Sequence, residues 1–160
     1  MRDFDEDVAS KELADREVFK DFLDADETVI GVFKPVKKRY IKWMLFFAIP
    51  IFWPHFIMLT VLSLGIFPFV YAKKGYDNMY YAYTNKRLIT RTGSFGVTYH
   101  SIKYTDIVTT EASSSFLDKK TNTGSISFRS QKHGVVFNYI EKPYDVLREI
   151  REYVEHNVKD

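Results

Sequence analysis

The stretch from Trp43 to Ala72 constrains this chain more than any other, because its thirty residues contain no Asp, Glu, Lys or Arg. An uncharged run of more than about eighteen residues is typical of a membrane-spanning helix. A hydrocarbon layer about 30 Å thick needs roughly 20 helical residues for one crossing and roughly 40 for two. The length of the run therefore falls between one crossing and two.

Two prolines near the middle of the run, Pro50 and Pro54, favour a bend at a membrane surface over the centre of one helix. The sequence thus predicts a short transmembrane hairpin within residues 41–73. A single tilted span, a hairpin that dips into one leaflet and a buried pair of soluble helices are the alternatives. The candidate aromatic anchors at the membrane interfaces are Trp43, Trp53 and Tyr71, and these residues weigh against the soluble pair.

Positive charge flanks the hydrophobic run on both sides, which is the pattern of loops on the cytoplasmic side of a membrane. The basic residues are Lys34, Lys37, Lys38, Arg39 and Lys42 before the run, and Lys73, Lys74, Lys86 and Arg87 after it. This distribution predicts an integral protein of the plasma (inner) membrane with both termini in the cytoplasm.

The overall charge of +2 combines an acidic beginning with a basic remainder. Residues 1–30 hold four basic and eleven acidic side chains, a net charge of −7, which leaves +9 for the rest. A modest positive balance beside a bilayer indicates attraction to anionic lipid headgroups, and nucleic-acid binding would need a denser basic face. The first ten residues are too acidic for a cleaved secretory signal, so the hydrophobic run should stay in the mature protein.

The chain divides into four predicted parts. Residues 1–27 form an acidic segment whose apolar residues between 8 and 24 recur at helical spacing, which predicts an amphipathic helix. Residues 28–40 read as a short strand and a basic linker, and residues 41–73 as the membrane hairpin. Residues 76–158 alternate in the manner of antiparallel strands, with a turn at Asn85 and Lys86, and end in a helix from Pro143 to Asn157.

The segment Tyr83-Thr84-Asn85-Lys86-Arg87-Leu88-Ile89, followed by Gly93, Thr123-Gly124-Ser125-Ile126, Phe137, Pro143 and a terminal helix, resembles a known family. It is similar to the bacterial and archaeal pleckstrin-homology-like (PH-like) domains of the DUF304, or membrane-flanked bPH2, group. The resemblance covers about residues 26–157. It implies two membrane helices before a cytoplasmic PH-like β-sandwich or barrel capped by a C-terminal helix, and hence an α+β membrane protein. The short hydrophobic run and the acidic first helix depart from the family pattern.

The sequence contains no pattern typical of catalysis. The four histidines are scattered without the spacing of a metal site, and the absence of cysteine excludes thiolate ligands and disulfides. The Thr92–Gly96 stretch lacks the Gly-Lys-Ser/Thr ending of a phosphate loop. We therefore predict a non-enzymatic protein without a cofactor or a metal.

A binding surface is the better-supported expectation. Its candidate residues are the basic Lys73, Lys74, Lys86, Arg87 and Arg91, which could face lipid phosphates. The alternative is that Arg87 belongs to the strand framework and that the lysines only reflect the charge bias of a membrane protein. The functional hypotheses are a scaffold that binds another membrane protein or a second copy of the chain, a sensor of anionic lipid headgroups, and a small subunit of a transport or channel assembly.

Overall fold

The computed structural model describes residues 17–47, 58, 61–62, 66–114, 118 and 122–157. The strands are β1 (Val29–Phe33), β2 (Tyr80–Thr84), β3 (Arg87–Thr92), β4 (Thr98–Lys103), β5 (Thr109–Ser113), β6 (Thr123–Arg129) and β7 (Gly134–Glu141). The helices are α1 (Lys37–Phe47), α2 (Phe67–Asp77) and α3 (Pro143–Asn157). Two short 3₁₀ helices, Lys20–Phe22 and Tyr104–Asp106, complete the described elements.

The strands form two antiparallel sheets, one in the order β1-β2-β3-β4 and one in the order β5-β6-β7. Strand β1 pairs with β2, so that Phe33 lies opposite Tyr81, although the 46 residues from 34 to 79 lie between the two strands. The helices α1 and α2 therefore belong to the connection between two neighbouring strands. The strand that precedes the hydrophobic run is part of the same sheet as the strands that follow it.

Apolar and polar side chains alternate along β6 and β7, so each strand buries the apolar side chains of one face. Ile126 and Phe128 of β6 and Val135 and Phe137 of β7 are buried, because successive side chains of a strand point to opposite faces. The ring of Phe137 stacks on that of Tyr81 in the other sheet, with centroids 4.8 Å apart. These contacts join the two sheets into one hydrophobic core.

Helix α3 packs one of its faces on the core of the sandwich. Pro143 stands at its start, where a missing N–H costs little, and Val146, Leu147 and Ile150 are buried against the core. The hydroxyl of Tyr83 in β2 donates a hydrogen bond of 2.7 Å to Glu149 of the same helix. The predicted β-sandwich and the predicted helix from 143 to 157 are thus present.

The predicted transmembrane hairpin is wrong. Within the described residues, no helix is both long enough and apolar enough to cross a membrane. Helices α1 and α2 have 11 residues each, or about 16 Å, and lysines occupy part of both. The predicted bend, with Pro50, Trp53, Pro54 and His55, lies outside the described residues.

The predicted N-terminal amphipathic helix also differs from what is described. Residues 8–16 lie outside the described part. Of the rest, Glu17 is helical, Lys20–Phe22 form a 3₁₀ helix and Leu23 is extended, so the predicted α-helix does not continue to residue 24. The reason is packing on the outer face of the first sheet. Phe19 is fully buried against Ala82 and Ile89, and Phe22 stacks on Tyr99 with centroids 4.6 Å apart.

Candidate functional site

The two helices between β1 and β2 pack on each other at the edge of the sandwich. The ring of Tyr40 in α1 lies 6.1 Å from that of Tyr76 in α2, and its hydroxyl lies where a Cβ on Gly75 would stand. Glycine at this position permits the close approach of the two helices. The first half of α1 therefore lies beside the second half of α2.

Five exposed lysines lie on these two half-helices. We call this group the lysine collar, and its members are Lys37, Lys38, Lys42, Lys73 and Lys74. None of them forms an ion pair with a residue that the structure describes. Their charges are thus available to an external anion.

Apolar side chains lie next to the collar on the solvent face of α2. Ile66, just before the helix, is 61% exposed, and Phe69 and Val70 within it are 60% and 40% exposed. Phe95, in the connection between β3 and β4, is 64% exposed. We call these four residues the apolar patch. Exposed apolar residues that lie together on a protein surface are typical of an interaction site.

Aromatic contacts fix Phe95 beside α2. Its ring lies 6.3 Å from that of Phe67 and 5.7 Å from that of Tyr71, measured between centroids. The ammonium of Lys74 lies 5.2 Å from the centroid of Phe95, within the range of a cation–π interaction. The apolar patch and the lysine collar are therefore one continuous surface.

A second cationic group adjoins this surface. The Nζ atom of Lys34 lies 4.1 Å from the ring centroid of Tyr80 and 5.0 Å from that of Tyr76. The guanidinium of Arg91 also lies over Tyr80, at 5.7 Å, and its Nε donates a hydrogen bond of 3.3 Å to the hydroxyl of Tyr99. The tyrosines hold these two cations beside the helices.

Two of the five basic candidates from the sequence lie elsewhere and face acidic residues of the chain itself. The ammonium of Lys86 pairs with Asp26, and the guanidinium of Arg87 pairs with Glu27 at 2.7 Å. The Asp26 pairing lowers the pKa of Asp26 through a hydrogen bond from Lys86. The other three candidates, Lys73, Lys74 and Arg91, lie at or beside the lysine collar.

Of the three predicted aromatic anchors, Trp43, Trp53 and Tyr71, the structure describes the contacts of Tyr71 alone. Tyr71 is half-buried on α2 and makes ring contacts with Phe67 and Phe95. Trp43 is part of α1, and Trp53 falls outside the described residues. The sequence reasoning did not single out Phe69, Phe95 or Tyr80 as site residues. A glycine-flanked Phe95 in a turn was the one signal that could have drawn attention to the loop.

The exposed groups of this surface are suited to binding. Among the described residues, no group of three or more His, Asp and Glu side chains could hold a metal ion. What the surface does offer is exposed hydrocarbon next to several ammonium groups. This combination fits a ligand that is apolar in one part and anionic in another.

Comparison with known proteins places this geometry in context. Residues 30–158 match the family model described as a bacterial PH domain. Among solved structures, the chain is similar to a DUF1696 family protein with a pleckstrin-homology domain from Shewanella loihica PV-4, with 12% identity, a TM-score of 0.45 and coverage of 88% of this chain and 90% of that one. It is also similar to a pleckstrin homology domain from Shewanella amazonensis SB2B, with 14% identity, a TM-score of 0.42 and coverage of 89% and 94%. A search of curated proteins finds no match.

Proposed function

Because the chain belongs to the bacterial PH domain family, we propose that it is a non-enzymatic binding module that docks on the surface of an anionic membrane. The single observation that carries the proposal is the position of the apolar patch directly beside the lysine collar. The docking is peripheral, through the faces of helices and a loop. It requires no element that crosses the bilayer.

The apolar patch supplies the hydrophobic part of the interaction. Phe69 and Phe95 are large side chains that contact water over more than half of their surface. Moving such side chains from water into the interfacial region of a bilayer is favourable in proportion to the apolar area buried. A patch on one helix face and one adjacent loop has the shape of an interfacial anchor.

The lysine collar supplies the electrostatic part. Each lysine or arginine near an anionic membrane surface contributes about 1 kcal/mol at physiological ionic strength. The membrane that such a surface fits is the cytoplasmic leaflet, where anionic lipids are concentrated. Phe19 and Phe22 of the segment before β1 pack on the outer face of the first sheet. The exposed face of α3 is left to contact a protein partner.

Vesicle binding by the full chain tests the proposal. Sucrose-loaded vesicles of phosphatidylcholine, with or without phosphatidylserine, are sedimented with wild-type protein, with Phe69→Glu/Phe95→Glu and with Tyr144→Glu as the control. Tyr144 is 61% exposed on α3, far in sequence from the patch, so its substitution matches the exposure but not the location. We expect wild type and Y144E to sediment with the phosphatidylserine vesicles and the double variant to remain in solution.

Charge and salt give a second readout. Replacing Lys73 and Lys74 by Gln should weaken binding to phosphatidylserine vesicles roughly 30-fold, on about 1 kcal/mol per charge. Added salt should weaken wild-type binding in the same direction, since surface charges are screened. Equal sedimentation of all four proteins, regardless of lipid and salt, would contradict the proposal.

A further inference from the structure

We propose that the lysine collar and the apolar patch also bind an acidic segment of the chain itself, residues 3–7, which competes with a membrane for this surface. The sequence of the segment is Asp-Phe-Asp-Glu-Asp. It precedes the described part of the chain, which begins at Glu17. Because the surface is the one proposed for membrane docking, this regulatory role rests on that proposed function.

The composition of residues 3–7 matches both parts of the docking surface. Four of the five residues carry a carboxylate, and the fifth is Phe4. The collar offers five lysines that form no ion pair with a described residue, and the exposed hydrocarbon of Phe69 and Phe95 lies beside them. Complementary charge steers two such surfaces together and fixes their orientation. The segment thus combines anionic and apolar groups, as an anionic lipid does.

The acidic residues that follow along the chain already face cations elsewhere. Asp26 pairs with Lys86, and Glu27 and Asp24 both lie within 4 Å of the guanidinium of Arg87. These three carboxylates lie at the turn between β2 and β3. The carboxylates of residues 3–7 are therefore the ones assigned to the collar.

Contacts between described side chains connect the start of the described segment with the cations of the surface. The carbonyl of Val18 accepts a hydrogen bond of 3.3 Å from the hydroxyl of Tyr99. That hydroxyl accepts a hydrogen bond of 3.3 Å from Nε of Arg91. Arg91 in turn shares the ring of Tyr80 with Lys34, at 5.7 Å and 4.1 Å from the centroid.

The same series of contacts continues into the collar. The ammonium groups of Lys34 and Lys37 lie 5.0 Å and 5.7 Å from the ring centroid of Tyr76, and Lys37 belongs to the collar. The ten residue steps from Glu17 back to Asp7 span about 15 Å at the rise of a helix and about 33 Å when extended. Either span is enough for residues 3–7 to reach a collar that begins beside Val18.

Binding of this segment lowers the apparent affinity for a membrane. Only molecules whose surface is free can bind a vesicle, so the apparent dissociation constant rises by the inverse of the free fraction. Occupancy of about two-thirds of the molecules therefore weakens vesicle binding about threefold. A bilayer rich in anionic lipid displaces the segment, because the two compete for the same lysines.

Vesicle sedimentation of the full chain measures the competition. The variant Asp3→Asn/Asp5→Asn/Glu6→Gln/Asp7→Asn removes the four charges and keeps the size of the side chains. A control removes four charges from exposed positions outside α1, α2 and the loop of Phe95. Its substitutions are Asp106→Asn, Glu111→Gln, Glu152→Gln and Glu155→Gln. We expect the first variant to bind phosphatidylserine vesicles at least about threefold more tightly than both wild type and the control. Equal affinities of the two variants would overturn the competition.

A zero-length carbodiimide detects the contact without any membrane, because it joins carboxylates to ammonium groups that touch. In the monomer fraction of the cross-linked wild type, mass spectrometry should find links from residues 3–7 to the collar. Links to Lys103 and Lys132, two exposed lysines outside the surface, should be absent. Phosphatidylserine vesicles should suppress the links to the collar, and phosphatidylcholine vesicles should not.

The two experiments separate failure of the contact from failure of membrane docking. Absence of links to the collar, equal linkage to Lys103 and Lys132, or links confined to covalent dimers would overturn the intramolecular contact. Links that form while neither wild type nor variant sediments with vesicles would overturn membrane docking, and the competition with it.

Discussion

The guanidinium of Arg87 donates two hydrogen bonds to the carboxylate of Glu27, from Nη2 to Oε2 at 2.7 Å and from Nε to Oε1 at 2.9 Å. The side chain of Glu27 is fully buried, and the hydroxyl of Thr84 donates a third hydrogen bond to it at 2.7 Å. The guanidinium also lies 4.9 Å from the ring centroid of Phe22. This arrangement ties the segment before β1 to the turn between β2 and β3.

Removing the carboxylate should destabilise the fold strongly. Glu27→Ala removes the closest partner of the largely buried guanidinium of Arg87 and leaves only the exposed carboxylate of Asp24, at 3.8 Å, to face it. We expect the free energy of unfolding to fall by about 3 kcal/mol. Urea unfolding followed by circular dichroism measures this change. Asp26→Ala is the control, because the Asp26–Lys86 pair is solvent-exposed and its loss should change little. Equal effects of E27A and D26A would contradict the assigned role.

The Arg87–Glu27 pair makes the free energy of unfolding depend on pH. Burial, the largest influence, raises the pKa of Glu27, but hydrogen bonds from Arg87 and Thr84 together with the charge of Arg87 outweigh it, so the pKa is lowered overall. A lowered pKa contributes stability above the ordinary value of about 4.3, and this stability is lost as pH falls through the folded value. Urea midpoints of wild type and Glu27→Gln, measured from neutral pH downwards, should converge. A constant gap between them would count against this linkage.

Phe19 should contribute to stability although it precedes every strand. It is fully buried, with ring contacts at 6.4 Å to both Tyr80 and Tyr99. Phe19→Ala should cost about 3–5 kcal/mol in the free energy of unfolding, as for other buried aromatic residues. Lys20→Ala, at an exposed neighbouring position, is the control and should be nearly neutral. A neutral F19A would show that the segment is not part of the cooperative fold.

Close packing of α1 and α2 depends on Gly75. A Cβ at this position would collide with the hydroxyl of Tyr40, whereas a Cβ at Gly96 would meet open space. We expect Gly75→Ala to lower the free energy of unfolding by about 1–3 kcal/mol, the usual cost of overpacking, and Gly96→Ala to change it little. Thermal melts of the two variants provide the comparison. The reverse order of the two effects would refute this account of the helix contact.

Local patterns of the sequence predicted the C-terminal half of the fold well. The helical spacing of Val146, Leu147 and Ile150 and the strand alternation of Ile126 and Phe128 come from contacts within an element or between neighbours. The pairing of β1 with β2 was not visible, because it joins strands separated by the long hydrophobic run. The burial of Phe19 was missed for the same reason, since its partners Ala82 and Ile89 lie far along the chain.

The candidate site was predicted in part. The charge pattern pointed to Lys73, Lys74 and Arg91, but it also included Lys86 and Arg87, because sequence alone does not show that Asp26 and Glu27 lie opposite them. Hydrophobicity alone suggested a hairpin that crosses a bilayer. The structure instead gives two 11-residue helices with lysines on part of each, and in the described part that leaves an exposed apolar face beside a cationic one.

Membrane docking through the apolar patch is the central claim, and a site-specific fluorescent label tests it most directly. The chain has no cysteine, so Phe69→Cys and Tyr144→Cys each give one labelling site, at positions that are 60% and 61% exposed. On addition of phosphatidylserine vesicles to the full chain, an environment-sensitive dye at position 69 should shift to the blue, and the same dye at position 144 should not. No shift at position 69, or an equal shift at both positions, would contradict the account.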